Sequence, residues 1–279
     1  MLRLDVLTLF PDFFSPLVGQ GVVRRAFDLG QADLRLWNLR DHAEGAYRRV
    51  DDRPFGGGPG MVMIAGPLER ALAAVRDDER AAPLPNAPAP APARRPVVLF
   101  SPAGRPLDQA RVEAFASGPG AVLVCGRYEG IDQRFIDRHV DEELSVGDFV
   151  VSGGEIPALL LIDAVCRLLP GVLHDPRSHE QDSFSDGLLD CPHYTRPEHL
   201  PPAPLALQPL DGQRPSEHAQ GVPEVLLGGH HAAIAAWRRG EALRLTAQRR
   251  PDLIHEARAA GRLTPSDERL LAELQSKAF

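Results

Sequence analysis

The chain has 279 residues and a mass of 30.4 kDa, and 43% of its residues are hydrophobic, enough to bury one large core or two smaller ones. Its formal charge of −7 argues against nucleic-acid binding by bulk charge, although local patches rather than the total govern such binding. Cys125, Cys166 and Cys191 are odd in number and far apart, with no CxxC or Cys/His ligand spacing, which points away from a disulfide framework or a structural zinc and toward small buried hydrophobes.

In chain order, LRLDVLTLF (2–10) alternates apolar and charged residues, so it reads as a strand and not as a signal peptide. An apolar helical stretch near 16–29 follows, then a strand at 32–39 and a short apolar strand at 97–101. Helix 107–117, strand 121–126, helix 132–140, a strand-like stretch at 144–152 and helix 156–169 complete the series. The apolar run ALLLIDAVCRLL (158–169) is too short to span a bilayer and holds Asp163 and Arg167, so a soluble, cytoplasmic chain without a membrane partner is expected. Strands alternating with helices predict an α/β fold with a parallel sheet, helices on both faces, and ligands at the carboxyl ends of the strands.

Two Pro/Ala-rich stretches, 77–96 and 200–221, read as solvated extended loops, and neither carries chemistry. Residues 174–187 are polar without periodicity. After 222 the pattern is helical and predicts a small helical second domain, with Asp252 and Ser266 after prolines at helix starts. Ser266 with Arg269 lacks the acid of a full capping box. WRRGEALRLTAQRRP (237–251) carries five arginines and one glutamate, either a solvated helix face or a phosphate-facing one.

Chemistry gathers in five stretches. VLVCGRYEGID (122–132) runs a buried strand into glycines, but the spacing is not the G-x-G-x-x-G of a dinucleotide fold. The turn after LTLF has no glycine either, so the doubly wound methyltransferases also lack their motif here. FSPAG (100–104), CGRYEG (125–130) and VGDFVVSGGEIP (146–157) each follow or end a strand. Singly each reads as a tight turn; together they read as one pocket that meets a small molecule with main-chain groups. RPFGGGPGM (53–61) is strongly irregular and lacks the Lys-Ser/Thr of a P-loop. DSFSDGLLDCPHYTRP (182–197) concentrates Asp182, Asp186, Asp190, His193, Tyr194 and Arg196. These side chains suit a general base and phosphate or base contacts, the spacing fits no standard metal site, and the plain alternative is a polar linker with Asx-turns.

Four motifs in order, VDDRPFGGGPGM, LVCGRYEGID, SVGDFVVSGGE and DSFSDGLLDCPHYTRP, resemble the bacterial tRNA (guanine-N1)-methyltransferases of the knotted SPOUT class. The resemblance runs from Leu4 to about Leu271, with the two Pro-rich stretches as extras. It implies a deep trefoil knot of the carboxyl-end loops, a rare exception to unknotted chains, that cradles S-adenosylmethionine in a bent shape. The knot walls would be Leu99, Ser101 and Pro102; then Gly126, Tyr128, Glu129 and Gly130; then Val146, Gly147, Asp148, Phe149, Val150, Val151, Ser152, Gly153, Gly154 and Pro157. Phe149 and Ser152 stand where the family often has Tyr and Thr.

The implied reaction methylates N1 of guanine at tRNA position 37, beside the anticodon. Asp182 matches the family's general base, and Arg167 matches the residue that stabilises negative charge on the guanine O6; without that role Arg167 would pair with Asp163 along the helix. Gly57, Gly58, Pro59, Gly60 and Met61 would lie against the flipped guanine. Asp190, His193 and Arg196 would hold the anticodon region, and Arg238, Arg239 and Arg244 would contact phosphates. The resemblance also implies magnesium, without assignable ligands, and a homodimer in which Asp182 and the linker of one chain serve the other's pocket. The expected division is a catalytic domain over 1–173, a linker over 174–188 and a helical tRNA-binding domain over 189–279. Competing readings are a knotted methyltransferase acting on another RNA position, a non-catalytic RNA-binding module, and a nicotinamide dehydrogenase. The DCPHYTRP and GGGPGM motifs, the three cofactor loops taken with Asp182, and the missing fingerprint argue against them in turn.

Overall fold

Strand β1 (Leu2–Thr8) is buried along its whole length. Its alternation sends Leu2, Leu4 and Val6 into one apolar layer and Leu7 into the other. The computed structural model that shows this describes residues 1–81, 94–175, 181–201 and 221–276. Beside β1 lie β2 (Ala32–Asn38), β5 (Val97–Pro106), β6 (Gly120–Val124) and β7 (Glu142–Ser145), in the order β2-β1-β6-β5-β7, every neighbour parallel. The short strands β3 (Asp51–Asp52) and β4 (Val62–Met63) form a separate antiparallel pair.

Helices α1 (Ser15–Val18), α2 (Gly21–Asp28), α3 (Ala65–Ala81), α4 (Gln109–Ala116), α5 (Gln133–His139) and α6 (Glu155–Cys166) cover the sheet. The layer with Leu4 and Val6 takes Val23 and Ala26 of α2, Val112 and Phe115 of α4, and Ala158, Leu161, Ile162 and Val165 of α6. The other layer takes Leu68, Ala71, Leu72 and Val75 of α3 and Phe135 of α5. Each fully buried Leu or Val contributes roughly 1.5–3 kcal/mol, so the doubly covered sheet is the rigid part of this unit.

Three expectations are corrected. The helical stretch at 16–29 is two helices, because Gly21 takes a left-handed φ of 62° at the break. The strand-like stretch 144–152 ends at Ser145; Gly147 then adopts a φ of 143° and Phe149 N–H bonds the Gly147 carbonyl, which turns the chain out of the sheet. The stretch 77–96 is not all loop: α3 continues through Ala81, and residues 82–93 lie outside the described part.

That last turn of α3 explains the charges in β1. Asp5 is fully buried; it accepts Arg3 Nε–H at 2.9 Å and Trp37 Nε1–H at 2.7 Å, and it forms an ion pair with Arg95 Nη2 at 2.5 Å without a hydrogen bond from that atom. Asp78 of α3 reaches Arg3 at 2.5 Å and also Arg35, and Glu79 receives Arg95 Nε at 2.7 Å. Removing one member would leave an uncompensated buried charge, at a cost of about 3–5 kcal/mol.

The chain divides into two compact units, Met1–His179 and Glu180–Phe279. The second contains α7 (Glu224–Leu227), α8 (His231–Arg249), α9 (Pro251–Ala259) and α10 (Pro265–Ser276), around a core of Leu188, Leu243, Ile254, Ala257 and Leu271. Two sequence segments, HHAAIAAWRR and EALRLTAQRR, form the single helix α8. The box at the start of α10 belongs to Thr264: Asp267 N–H donates to Thr264 Oγ1 at 3.2 Å, and Thr264 N–H to Asp267 Oδ2 at 2.9 Å. Asp267 also accepts Arg239 Nη2 at 3.0 Å.

Burial disfavours the charged Asp267 carboxyl, but the Arg239 guanidinium and the Thr264 amide outweigh it and hold the pKa below 3.8. The pair therefore stabilises the fold fully above about pH 3.9, and that contribution is lost as pH falls through the native pKa. In urea titrations of the full chain, Asp267→Ala should lower stability by about 2–3 kcal/mol at pH 7. The gap to wild type should narrow below about pH 4.

Candidate functional site

The carboxyl edge of the parallel sheet opens into a cleft of about 430 Å³. Three chain segments line it. Register against β7 jumps between Phe100 and Arg105, so Ser101, Pro102 and Ala103 bulge out of β5 toward the cleft. Residues 126–131 follow β6, and residues 146–154 follow β7. Apolar residues including Leu99, Ile131, Ile136, Leu144 and Pro157 line the walls, and Gly126, Gly130, Gly147, Gly153 and Gly154 are among the remainder. Such a lining suits a mostly flat, partly apolar ligand recognised by backbone amides and carbonyls.

The loops are cross-braced. Gly154 N–H donates to the Gly126 carbonyl at 2.9 Å. A Cβ on Gly154 would stand 2.6 Å from Cys125 Cα and 2.9 Å from Gly126 N, so only glycine allows the 146–154 loop to press on the 125–130 loop. At the first position of α6, Glu155 is wholly buried. Its Oε1 accepts Thr8 Oγ1–H at 2.8 Å and its Oε2 accepts Arg127 Nε–H at 2.8 Å. The position is also favourable for a carboxylate because it faces the positive end of the helix dipole. Arg127 donates further to the Ser152 carbonyl at 3.2 Å and lies over the Phe10 ring at 4.5 Å.

The β3–β4 pair carries the loop Phe55–Met61, with left-handed φ at Gly56, Gly57, Gly58 and Gly60. Its far end joins the cleft: Glu129 N–H bonds the Met61 carbonyl at 3.0 Å, and Met63 N–H bonds the Gly130 carbonyl at 2.9 Å. Tyr128, beside it, holds a φ of 60°, a strained value for a non-glycine residue and one that collects at ligand sites. Burial, with Asp51 next, pushes the Tyr128 phenol up against the opposing pull of Arg40.

The structure therefore brings together Leu99, Ser101, Pro102, Gly126, Tyr128, Glu129, Gly130, Val146, Gly147, Phe149, Val150, Val151, Ser152, Gly153, Gly154 and Pro157 around one cleft. Asp148 sits in the turn closed by Phe149 N–H and the Gly147 carbonyl, exposed to solvent and next to the lining residues Gly147 and Phe149. Arg167 caps the carboxyl end of α6 in the first unit, its N–H on the Asp163 carbonyl at 3.2 Å.

In the second unit, Asp182, Asp190, His193, Arg238 and Arg239 line a separate cleft of about 270 Å³. Asp190 Oδ2 lies 2.7 Å from His193 Nε2, and Arg196 lines a neighbouring hollow with Tyr194 and Trp237. Of the arginines expected on phosphates, Arg239 is engaged by Asp267 and Asp186, and Arg244 by Glu241. Arg238 is exposed and has no side-chain hydrogen bond among the described residues.

All three cysteines are free and buried. Burial pushes the Cys166 thiol up to about 12 and the Cys125 thiol well above its usual range, so neither serves as a thiolate nucleophile at neutral pH. Sequence reasoning missed Thr8, Arg127 and Glu155 as a unit. The available signal was an acid opening the most apolar helix of the chain, a pattern that demands a buried partner.

Fold and cleft together define an α/β protein whose ligand site is built from loops at the carboxyl edge of a parallel sheet, without a phosphate-binding glycine fingerprint. The model of one family, described as tRNA (Guanine-1)-methyltransferase TrmD, matches residues 2–256, and the chain belongs to that family. It is similar to proteins named tRNA (guanine-N(1)-)-methyltransferase from three bacteria. The Methylibium petroleiphilum protein is 66% identical, covering 98% of both chains. The Leptothrix cholodnii protein is 62% identical over 98% of this chain and 100% of its own. The Paracidovorax citrulli protein is 57% identical over 98% of each.

Adding one methyl at Gly154 tests the bracing. Gly154→Ala should destabilise the chain by about 1–3 kcal/mol, the range for overpacking a tight contact, because the opposing atoms are backbone. Thermal melting of the purified variant checks it, and an unchanged midpoint would mean that the two loops are free to separate.

Proposed function

We propose that this chain transfers the methyl group of S-adenosylmethionine to N1 of the guanine at tRNA position 37. The observation that carries the reading is the cleft: three segments that follow separate strands converge on one space rich in glycine, in a chain of this family. Gly130, where an added Cβ would meet nothing within 4 Å, leaves bare backbone beside open space, and the apolar lining suits an adenosyl group. These residues fit the cofactor, which supplies an electrophilic methyl group when bound.

The chain's own residues perform the rest. Guanine N1 carries a proton at neutral pH and is a poor nucleophile until that proton leaves. Asp182 would take it onto its carboxylate, and the electron pair freed at N1 would form the new bond to the methyl carbon as the methyl–sulfur bond breaks, its electrons returning to sulfur and S-adenosylhomocysteine leaving. Negative charge spreads to the guanine O6, where the Arg167 guanidinium stabilises it. The loop Gly57–Met61 holds the flipped base, its end tied to the cleft through Met61 and Glu129. Asp190, His193 and Arg196, in the helical domain over 189–279, hold the anticodon region, with Arg238 on phosphate.

The reading includes the trefoil knot of the three cleft segments and a homodimer in which Asp182 of one chain serves the cleft of the other. The exposed apolar side chains Ile156 and Leu160 on α6, with Phe149 and Val150 before it, favour a covered surface there. Magnesium belongs to the reading without assigned protein ligands, since it commonly binds through one or two carboxylates with water and phosphate oxygens. The one three-ligand cluster among the described residues, Asp190, Cys191 and His193, offers a thiol and an imidazole, whereas magnesium takes oxygen ligands.

A methyl-transfer assay with labelled S-adenosylmethionine tests the reading, using tRNA transcripts with guanine or adenine at position 37. Label should enter only the guanine transcript, and Asp182→Ala should slow transfer by about 10²–10⁴-fold. Equal label on both transcripts would move the target to another position. Absence of transfer to either, with cofactor bound, would refute the activity.

A further inference from the structure

We infer that Arg127 and Glu155 act as one positioning device for the cofactor-binding loops, an inference that rests on the reading that the cleft takes S-adenosylmethionine. Neither residue is assigned a catalytic or binding role above. Buried ion pairs are close to break-even for stability against apolar residues of similar volume. A charged pair kept here is better explained by the geometry it imposes.

That geometry is specific. Thr8 Oγ1 accepts Phe10 N–H at 2.9 Å and donates to Glu155 Oε1 at 2.8 Å, so the end of β1 fixes one carboxylate oxygen. The other receives Arg127 Nε–H at 2.8 Å. The guanidinium then spans two cleft loops: it leaves its own loop, 125–130, and donates to the Ser152 carbonyl at 3.2 Å. It packs so closely on the second loop that a Cβ on Gly153 would lie 2.3 Å from Arg127 Nε. Phe10 covers its face, and the main chain of Arg127 is held separately, its N–H on Met63 Sδ at 3.1 Å. One planar, fully charged fork thus sets the separation of the loops that carry Gly126, Tyr128 and Ser152. Lysine, a flexible point charge with no fork, cannot satisfy Glu155 and the Ser152 carbonyl in that plane.

The test uses the full-length protein and two readouts: calorimetric binding of S-adenosylhomocysteine, and methyl transfer with each substrate varied in turn. In Arg127→Lys and in Glu155→Gln, S-adenosylhomocysteine should bind at least about tenfold more weakly and KM for S-adenosylmethionine should rise alike, since a misplacement near 1 Å costs factors of this size or larger. KM for tRNA should stay within about twofold of wild type, a split that general unfolding would not produce. The double variant should bind no more weakly than the worse single one, because each removes the same device. Where Glu155→Gln does not fold, Thr8→Val removes one hydrogen bond to Glu155 and should weaken binding in the same direction.

Folded single variants that bind S-adenosylhomocysteine as wild type does, or losses that simply multiply in the double variant, would overturn the inference and leave the cofactor reading intact. Wild-type protein that fails to bind S-adenosylhomocysteine would overturn both.

Discussion

The buried carboxylate of Glu155 is the point on which the functional edge of the first unit depends. A charge with no solvent must have partners, and its partners are Thr8 and Arg127, from two other segments of the chain. The end of β1, the loop after β6 and the first turn of α6 are therefore tied at one side chain. Glycines at 153 and 154 then let the backbones meet where any side chain would hold them apart. The two loops that wall the cleft between the ends of β6 and β7 are held at this contact.

The opposite constraint lies in the sheet. Arg3 and Asp5 would have to be solvated if their face of β1 were open, and Asp78 and Glu79 of α3 with Arg95 make burial possible instead. Closing that face leaves helices on both sides of the sheet and only strand ends exposed. A ligand that needs backbone hydrogen bonds can find them only there, since the interior strand groups are already paired. The network in β1 and the cleft are in this sense consequences of the same covering.

The second unit qualifies the argument from charge. Its arginine-rich helix α8 looks cationic in one dimension, but Arg239 and Arg244 are engaged by carboxylates of the same unit. What α8 presents outward at its middle is chiefly Arg238, beside Asp190, His193 and Asp182. A chain of net charge −7 thus offers a few placed cations and not a basic field, which favours recognition by position over long-range attraction.

Local pattern by itself determined much of this protein. Strand-helix alternation, the continuous apolar run at 97–100 and the glycine-rich strand ends required a covered parallel sheet with a backbone-lined site, and four motifs in order pointed to the family. These features are readable because each depends on neighbours in sequence: periodicity, turn chemistry and short spacing. Tertiary structure decided the remainder. It ended the last strand at Ser145, extended α3 into a stretch that reads as loop, left Asp148 exposed, gave the box at α10 to Thr264, and joined Glu155 to Arg127 and Thr8. Thr8 and Glu155 are 147 residues apart. No local pattern encodes which buried charge will meet which, because that depends on where separate elements pack, and the energy of the pair exists only after they have done so.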